Sequence, residues 1–521
     1  MDCLWKTRYE NGMTTPDAHT LPQTSAGALS LEELLAAALA ENERLVKLVD
    51  ELRQENLALR QAITALEQKI LVLSKKNLAL QEALNRNSTN SNQPPSQDSP
   101  FEPPHKESAS RHEAKESAPS AAKKSRPYHK GACQQILPPD EVVHCLPGPC
   151  SCGCQECVDA RALWLHQWLE LPERLLKVVH FLVHEGRCAR CGKRVKGRVP
   201  LGHESGFGPG LTALMATLNA GMGVSWRKLG ACLGQVFGLP LSPGALNKCL
   251  KRACAAIEAH YEAIGRAVRA SPVNHADETT WRQHGPLGKK LLWLWVLVNR
   301  EAAFFRLAES RKGEEFDALR GSWSGTLISD DYGAYRSWEH GRQSCLAHLL
   351  RRARGLAESG DARTAACGRW GLGELGRLLR MSPESATRGE FCAFYARFCR
   401  YVALYRETPG KAGAFARRLE REFSELVTFL VVPGVEPTNN LAERSLRHGV
   451  VLRKISIGTS SEAGRRWLER GLTLYQTCLL QKKGFFEVMR EALQAHFQNL
   501  APDLGWIEDI AAKYKHAADT P

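Results

Sequence analysis

Leucine occupies every seventh position from Leu45 to Leu80, and this heptad constrains the fold more than any other feature of the chain. The companion seam positions are Asn42, Val49, Asn56, Ile63, Ile70, Asn77 and Leu84. Leucine on one seam and β-branched residues on the other favour a parallel two-stranded coiled coil, and buried asparagines fix its register. The alternative is a long amphipathic helix packed against its own chain. Because the repeat persists over six heptads, we expect residues 31–86 to form a leucine zipper that makes the protein a homo-oligomer, most simply a dimer.

The segments on either side of the heptad are poor in residues that build a core. We expect residues 1–30 to be a disordered tail and residues 87–140 to be a disordered basic linker. The linker opens with a run of asparagine, serine and proline, which cannot continue a helix. Between His105 and Lys130 it carries seven Lys or Arg against three Glu. Such a tether can contact phosphates without becoming ordered.

The chain contains 17 cysteines, and their grouping indicates metal ligands rather than a disulfide framework. Cys188 and Cys191 form a CxxC pair followed by glycine. This pair comes after a stretch from Leu163 to Glu185 that we predict to be rich in strands. Four thiolates around a hairpin can hold Zn²⁺ and supply folding energy to a small module. We therefore expect a zinc-ribbon-like domain over residues 141–205.

The other pair of zinc ligands is less sharply defined, because five cysteines crowd together from Cys145 to Cys157. We favour Cys150 and Cys152, which precede a glycine, over Cys154 and Cys157, which have the regular CxxC spacing. The alternative is that the module folds without metal.

Residues 206–270 have helical patterns. Trp226–Phe237 reads as one helix, and Ser242 is a good N-cap for a second helix that follows a short turn. The second helix would carry Asn247, Lys248, Lys251 and Arg252. These proportions suit a helix-turn-helix DNA-binding domain, although a plain helical packing unit fits them equally well.

The composition favours a polyanionic partner. The 521 residues include 70 Lys or Arg and 56 Asp or Glu, a formal net charge of +14, and nucleic acid is the first candidate. The amino-terminal residues lack the apolar segment of a signal peptide, and no run of 18 apolar residues could span a membrane. We therefore expect a cytoplasmic, nucleoid-associated protein.

The segment that begins at Ser271 contains two aspartates at distinctive positions of its predicted strands. Asp277 lies near the start of a predicted strand, two further strands and a short helix follow, and Asp330 ends the next strand. This order is typical of a ribonuclease-H-like α/β core, in which carboxylates on the first and fourth strands lie side by side. Glu278 and Asp331 adjoin these two residues, so the pattern alone leaves a choice at each position.

A third carboxylate, Glu443, lies about one turn into a predicted helix that Thr438 or Asn439 would cap. We expect residues 271–470 to form the catalytic domain, with a helical insertion over about 345–431 and a helical tail over 471–521. Glu443 and Arg447 are four residues apart, so an ordinary ion pair on the helix face is the alternative.

Three carboxylates brought together would hold two divalent cations. Such a pair of ions clamps the attacking and leaving oxygens of an in-line displacement at phosphorus. Mg²⁺, or Mn²⁺, prefers such oxygen ligands. Asp277 would contact both ions, while Asp330 and Glu443 would each hold one. Taken with the coiled coil, the zinc-ribbon-like domain and the helical segments, this catalytic domain predicts that the whole chain is a multidomain α+β protein.

Five segments together resemble the transposases of the insertion sequence 66 family, in the order that the family shows. They are the Asn/Ser/Pro run, the cysteine module with Leu171–Arg174, His275–Thr279, Asp330–Tyr335 with Cys345–His348, and Asn439–Arg444 through Lys454. The match extends from about residue 31 to 470. Leu346 and the Ile455–Ile457 stretch depart from it, because aromatic residues are common there in the family.

The resemblance implies that Asp277, Asp330 and Glu443 are the DDE residues, with Asp330 rather than Asp331 in the second place. It also implies divalent metal dependence, action on the terminal inverted repeats of an element and on target DNA, and companion proteins from the same element. The segments that resemble the family's active-site surroundings contain further basic residues that we expect to bind DNA phosphates. These residues are His348, Arg444, Arg447, Arg453 and Lys454.

Two other functions compete with that of an active transposase. A non-catalytic, sequence-specific DNA-binding regulator of the element would need the coiled coil, the ribbon and the helix-turn-helix but no carboxylate trio. A stand-alone nuclease would need the metals without strand joining. The intact trio favours the transposase.

Overall fold

A computed structural model describes residues 31–85, Asn87, Asn90, eight positions between 136 and 171, and residues 175–187, 189–191, 194–285 and 288–518. The chain divides into two compact units, residues 1–85 and residues 86–521. The expected tail over residues 1–30 lies outside the described residues, as does most of the expected linker.

The described residues of the first unit form one helix, α1 (Leu31–Leu84), of 54 residues. The predicted seam leucines are open to solvent, with Leu59 57% and Leu66 56% exposed. The expected helix is therefore confirmed, and its apolar seam is uncovered in the single chain. No helix in the described part of the chain is long and apolar enough to cross a membrane.

The first strands described in the second unit form a short antiparallel hairpin of β1 (Glu185–Arg187) and β2 (Arg194–Lys196). The prediction of strands from Leu163 was wrong for residues 175–184, which are described and lie outside any strand. Their apolar side chains are mostly exposed, and no strand among the described residues pairs with them; Val178 and Leu182 are 75% and 81% exposed. Cys191 lies between the two strands and is exposed. The other expected zinc ligands, Cys150, Cys152 and Cys188, and the alternatives Cys154 and Cys157, lie outside the described residues.

The helices that precede the large sheet match the predicted pattern. They are α2 (Pro209–Ala216), a π-helical turn (Thr217–Gly221), α3 (Trp226–Phe237), α4 (Pro243–Ala256) and α5 (Glu258–Arg269). Helix α3 ends at Gly238, whose φ of 61° is the left-handed conformation that glycine adopts without steric cost. Ser242 caps α4 by accepting a 3.2 Å hydrogen bond from the backbone N–H of Ala245.

The central feature of the second unit is a mixed sheet of five strands. They are β3 (Val273–Gly285), β4 (Gly288–Val298), β5 (Ala303–Ala308), β6 (Thr326–Ser329) and β7 (Arg342–Ser344). Their order is β5-β4-β3-β6-β7. Strand β3 pairs antiparallel with β4 and parallel with β6. Because His275 is paired with Ile328 in the parallel register, the positions two residues further on, Asp277 and Asp330, are level with each other.

Two short helices accompany this sheet, α6 (Gly313–Arg320) and α7 (Gly333–Arg336). A helical insertion then follows β7, as predicted, and it has its own hydrophobic core. Its helices are α8 (Leu346–Ala357), α9 (Ala362–Leu379), α10 (Arg388–Tyr405), α11 (Lys411–Arg421) and α12 (Phe423–Val431). Asn90, from the expected linker, is buried against α8 and donates a 2.6 Å hydrogen bond to Glu358. At this position the chain after the heptad is fixed rather than disordered.

The chain then returns to the sheet and ends in helices. These are α13 (Asn440–Ser456), α14 (Glu462–Leu480), α15 (Phe485–Phe497) and α16 (Gly505–Ala518). Helix α13 packs against β3 and β4, α15 packs against α2 and α4, and α16 packs against α5. One hydrophobic core therefore contains residues from the helices before the sheet, from the sheet and from the carboxyl-terminal helices.

Candidate active site

The three carboxylates singled out in the sequence line one cleft of about 1160 Å³, hereafter the carboxylate cleft. Asp277 comes from the central strand β3, Asp330 directly follows the neighbouring strand β6, and Glu443 comes from the first turn of α13. The fold thus gathers side chains that are 53 and 113 residues apart in the sequence.

The contacts of Asp277 and Glu278 distinguish these two neighbours. Glu278 is buried, accepts a 2.7 Å hydrogen bond from Arg311 Nε, and accepts a second one from the hydroxyl of Tyr335. Asp277 accepts a 2.9 Å hydrogen bond from the backbone N–H of Glu278. The charge of Glu278 is therefore compensated by protein, whereas the described residues provide no cationic partner for Asp277.

Asp330 and Asp331 differ in the same way. Both carboxylate oxygens of Asp331 accept 2.7 Å hydrogen bonds from Arg336, and Arg418 Nε lies 3.0 Å from one of them. These contacts hold the pKa of Asp331 below its usual value, despite the opposing effect of burial. Asp330 accepts a 3.0 Å hydrogen bond from the backbone N–H of Tyr332 and has no ion pair among the described residues. The two residues without ion pairs are thus the two that stand level across β3 and β6.

Glu443 faces two basic side chains of α8. Arg351 lies 3.2 Å from both of its carboxylate oxygens, and His348 Nε2 lies 3.5 Å from one of them. The alternative pairing with Arg447 along α13 is not among its contacts within the described residues. Arg351 was not singled out in the sequence, because its partner lies 92 residues away.

The electrostatics of Asp277 show how crowded this cleft is with negative charge. Burial raises the pKa of the Asp277 carboxyl well above its usual value, and the neighbouring charges of Glu278, Asp330 and Glu443 raise it further. Like-charged carboxylates that cannot all ionise together favour either a bound proton or a bound cation.

One buried asparagine connects β3 with α13. Asn439, at the start of α13, donates from its side chain to the carbonyl of Ala276 at 2.8 Å, and its Oδ1 lies 3.1 Å from His275 Nδ1. It therefore does not cap α13 with its side chain. The predicted cap is correct in position but wrong in the side chain's role, because the amide is used on β3.

A second group of metal-ligating atoms overlaps the cleft. Atoms of Cys345, His348 and Glu443 lie within 4.8 Å of one another. Burial raises the pKa of Cys345 to about 11, and its sulfur accepts a 3.1 Å hydrogen bond from the backbone N–H of Asn439. A protonated thiol is a poor ligand. The carboxylate oxygens of Asp277, Asp330 and Glu443 are instead the donor set that suits a hard cation such as Mg²⁺.

The predicted DNA-binding residues fall into two groups. Arg444, Arg447 and Lys454 line the carboxylate cleft and are exposed. Arg453 instead donates to the hydroxyl and the carbonyl of Thr280, so it ties α13 to β3. His348 also lines the cleft, but it is largely buried beside Glu443.

Further basic residues line the same cleft and were not predicted. They are Arg311, Arg336, Arg351, Arg352 and Arg418. The run of arginines on α8 was the available signal. The other three contact partners that are distant in the sequence or lie in short loops, and no periodicity marks such contacts.

A family model and two known proteins are similar to parts of this chain. The family model described as "Transposase IS66 family" matches residues 204–466, a range that contains all three cleft carboxylates. The uncharacterized protein y4jO of Sinorhizobium fredii is 29% identical over 176 residues, which are 34% of this chain and 54% of that protein. The uncharacterized protein y4qI of the same organism is 26% identical over 240 residues, which are 39% of this chain and 44% of that protein. The chain thus spans about half the length of these relatives. Since the family model covers half of the chain, including the sheet and the cleft, the chain belongs to the IS66 family of transposases.

Proposed function

We propose that this protein is a DNA transposase that cuts the ends of an insertion element and joins the freed 3′-hydroxyls to target DNA. The observation that carries the proposal is the meeting of Asp277, Asp330 and Glu443 in one cleft, while the adjacent Glu278 and Asp331 are compensated by arginines. A regulator that only binds DNA has no use for three carboxylates in one cleft, two of which, Asp277 and Asp330, have no ion pair among the described residues.

The sheet supports a ribonuclease-H-like catalytic core. Three antiparallel neighbours come first, and β6 and β7 then add in parallel on the other side of β3. The first and fourth strands of the domain are thereby adjacent, as the sequence pattern predicts for this fold. Helix α13 packs on β3 and carries the third carboxylate.

Asp277, Asp330 and Glu443 would hold the divalent cations, Mg²⁺ or Mn²⁺. When bound, such cations neutralise negative charge on the phosphodiester while an in-line displacement takes place at its phosphorus. Arg444, Arg447 and Lys454 bind phosphates next to the carboxylates and position the scissile strand. Arg351 holds Glu443 by both oxygens and thereby fixes the direction of its carboxylate.

The chemistry that follows comprises two displacements at phosphorus. In the first, the oxygen of water bonds to phosphorus, and the bond to the 3′ oxygen breaks, which leaves a 3′-hydroxyl and a 5′-phosphate. In the second, that 3′-hydroxyl bonds to a target phosphorus, and a target 3′ oxygen leaves with a proton. No covalent protein intermediate is required. Burial raises the pKa values of Tyr335 and Cys345, so neither side chain near the cleft is an activated nucleophile.

The exposed seam of α1 supports self-association through a parallel coiled coil. A row of leucines at heptad spacing, each about half exposed or more, would be covered by a second copy of the same helix. Zinc binding by the cysteine module and docking of companion proteins stay predictions from the sequence.

Nicking of element-end DNA in the presence of Mg²⁺ tests the proposed chemistry, with two adjacent aspartates as a matched pair. Asp330→Asn should abolish 3′ nicking and strand transfer while DNA binding persists. Asp331→Asn should retain nicking and lower the thermal stability, because it removes the partner of Arg336 and Arg418. Strand-transfer products in a plasmid assay distinguish a transposase from a nuclease. Full nicking by the Asp330 variant would contradict the proposed site, and binding without nicking by the parent protein would favour the regulator.

A further inference from the structure

A second cleft, of about 920 Å³, is lined by later residues of β3 and α13 and shares no lining residue with the carboxylate cleft. It is bounded by α3 and α4 on one side and by the end of β3 and the segment from Ser456 to Leu472 on the other. We call it the tryptophan cleft after two of its lining residues, Trp226 and Trp467. The carboxylate chemistry does not use it.

The walls of the tryptophan cleft are firmly held. Trp467 donates a 2.7 Å hydrogen bond to Asn219, and Trp281 donates one of 3.2 Å to Thr459. The loop after α13 is joined to β3, because the backbone N–H of His284 donates to the carbonyl of Thr459 at 2.7 Å. Gly458 makes this close approach possible, since a Cβ there would lie 2.0 Å from the carbonyl oxygen of Arg282. A preformed cavity of this kind binds a ligand without a large cost in ordering.

The lining combines cations with an exposed aromatic ring. Lys251 and Arg466 are exposed and make no ion pair within the described residues. Glu258, an acid of the lining, is paired with Arg470. Trp226 is 39% exposed at the edge of the cleft. Free cations bind phosphates, and a ring with an open face stacks on a base, so the pattern is that of a single-stranded nucleic-acid site.

The size of the cavity suits one unpaired base. A volume of about 920 Å³ lies in the range of cavities that hold small molecules. A base that has left its partner would fit such a space.

The position of the tryptophan cleft relates it to the carboxylates through α13. The carboxylate cleft reaches Val451 and Lys454 of this helix, and the tryptophan cleft reaches Leu452 and Ser456. Glu443 and Ser456 are 13 residues apart, which corresponds to roughly 20 Å along a helix. A strand bound at the carboxylates can therefore follow the exposed basic residues of α13 and deliver a nucleotide to the tryptophan cleft.

We propose that the tryptophan cleft binds an unpaired nucleotide of the DNA substrate, with the base stacked on Trp226 and its phosphates held by Lys251 and Arg466. This inference rests on the proposed function, in which DNA is the substrate. It adds a site that distinguishes single-stranded from paired DNA near the reacting end.

Binding of the full-length protein to two DNA molecules, without added divalent cation, tests this site. One is a short paired duplex, and the other is the same duplex with a single-stranded 3′ tail that carries a fluorescent base analogue. The parent protein should bind the tailed DNA more tightly and quench the analogue. Trp226→Ala should weaken binding of the tailed DNA by about tenfold and remove the quenching, while Trp226→Phe keeps most of both.

The lysine variants separate a local contact from general charge. Lys251→Ala should lower the affinity for the tailed DNA. It should also reduce the salt dependence of that affinity by about one released counterion. Lys228→Ala removes an exposed lysine of α3 that does not line the cleft, and the preference for tailed DNA should survive this change. Equal affinity of the parent for both DNA molecules would overturn the proposal, as would an unchanged preference in Trp226→Ala. Asp277→Asn should keep the preference, so a failure of nicking alone counts against the proposed chemistry and not against this site.

Discussion

The side chain of Asn439 donates a 2.8 Å hydrogen bond to the backbone carbonyl of Ala276, the residue immediately before Asp277. The carbonyl of Asn439 in turn accepts a hydrogen bond from the backbone N–H of Glu443 at 3.2 Å. One buried asparagine thus connects the strand that carries the first carboxylate with the helix that carries the third. The spacing of the two acids depends on a residue that offers no ligand itself.

Asn439→Ala should therefore lower kcat of nicking more than it changes the affinity for DNA. The variant leaves the Ala276 carbonyl and His275 without a buried partner, which should also reduce the free energy of unfolding by about 1–3 kcal/mol. Nicking rates at saturating DNA and chemical denaturation measure the two effects. A kcat equal to that of the parent would show that Asn439 does not position the carboxylates.

Asp277→Asn should stabilise the protein in the absence of divalent cations. The pKa of Asp277 is raised by burial and by three neighbouring carboxylates, so the folded state holds its proton at a pH where the unfolded state has lost it. The free energy of unfolding of the parent therefore falls as pH rises above about 4, the ordinary value for Asp. Asp277→Asn does not lose stability in this way. The melting temperatures of the two proteins should therefore diverge as pH rises from acidic to neutral. Melting temperatures that change in parallel with pH would contradict the raised pKa of Asp277.

Mg²⁺ should compensate the same repulsion in the parent protein. Its addition should raise the melting temperature at neutral pH, raise it less in acid, and raise it least in Asp277→Asn. The variant thus serves as the control for nonspecific effects of the salt.

His260 gives the folded protein a separate sensitivity to acid. It is 2% exposed, and burial lowers its pKa to about 4. Since an unfolded histidine titrates near 6.5, the unfolded state gains a proton first, and stability is lost as pH falls from about 6.5 to 4. Over this window the parent should lose roughly 3 kcal/mol more than His260→Gln. Urea denaturation at several pH values measures the difference, and equal slopes would exclude the buried neutral imidazole as the cause.

The seam of α1 makes a prediction about mass in solution. Replacing Leu59 and Leu66 with lysine should convert the oligomer to monomers, because both lie on the predicted seam. Leu57 and Leu71 are equally exposed, at 59% and 57%, but lie off the seam. The same double replacement there should leave the light-scattering mass unchanged. An unaltered mass for the seam variant would refute the zipper.

Much of the fold follows from local patterns in the sequence. Helix α3 has the predicted bounds of Trp226 and Phe237, and the predicted cap at Ser242 is present. Apolar runs and turn residues define these elements at short range, where side-chain periodicity is informative. The apolar residues before Glu185 showed the limit of this reasoning, because an apolar run forms a strand only where a partner strand pairs with it.

That Asp277, Asp330 and Glu443 line one cleft was predictable, but the environment of their carboxylates was not. Asp277, Asp330 and Glu443 stand at recognisable positions on a strand, after a strand and on a helix. The pairing of Glu278 with Arg311, and of Glu443 with Arg351, joins residues 33 and 92 positions apart. Such contacts depend on how the elements pack, and no spacing in the sequence marks them.

The helical insertion begins and ends at the same point of the sheet. The backbone N–H of Leu346 donates to the carbonyl of Pro437 at 2.9 Å, and that of Asn439 donates to the sulfur of Cys345 at 3.1 Å. A segment whose two ends are clasped in this way can lengthen or shorten without altering the distance between the acids on either side of it. Natural or engineered chains that keep the contacts of Arg351 and Arg418 can therefore differ widely elsewhere in the insertion and retain the same candidate site.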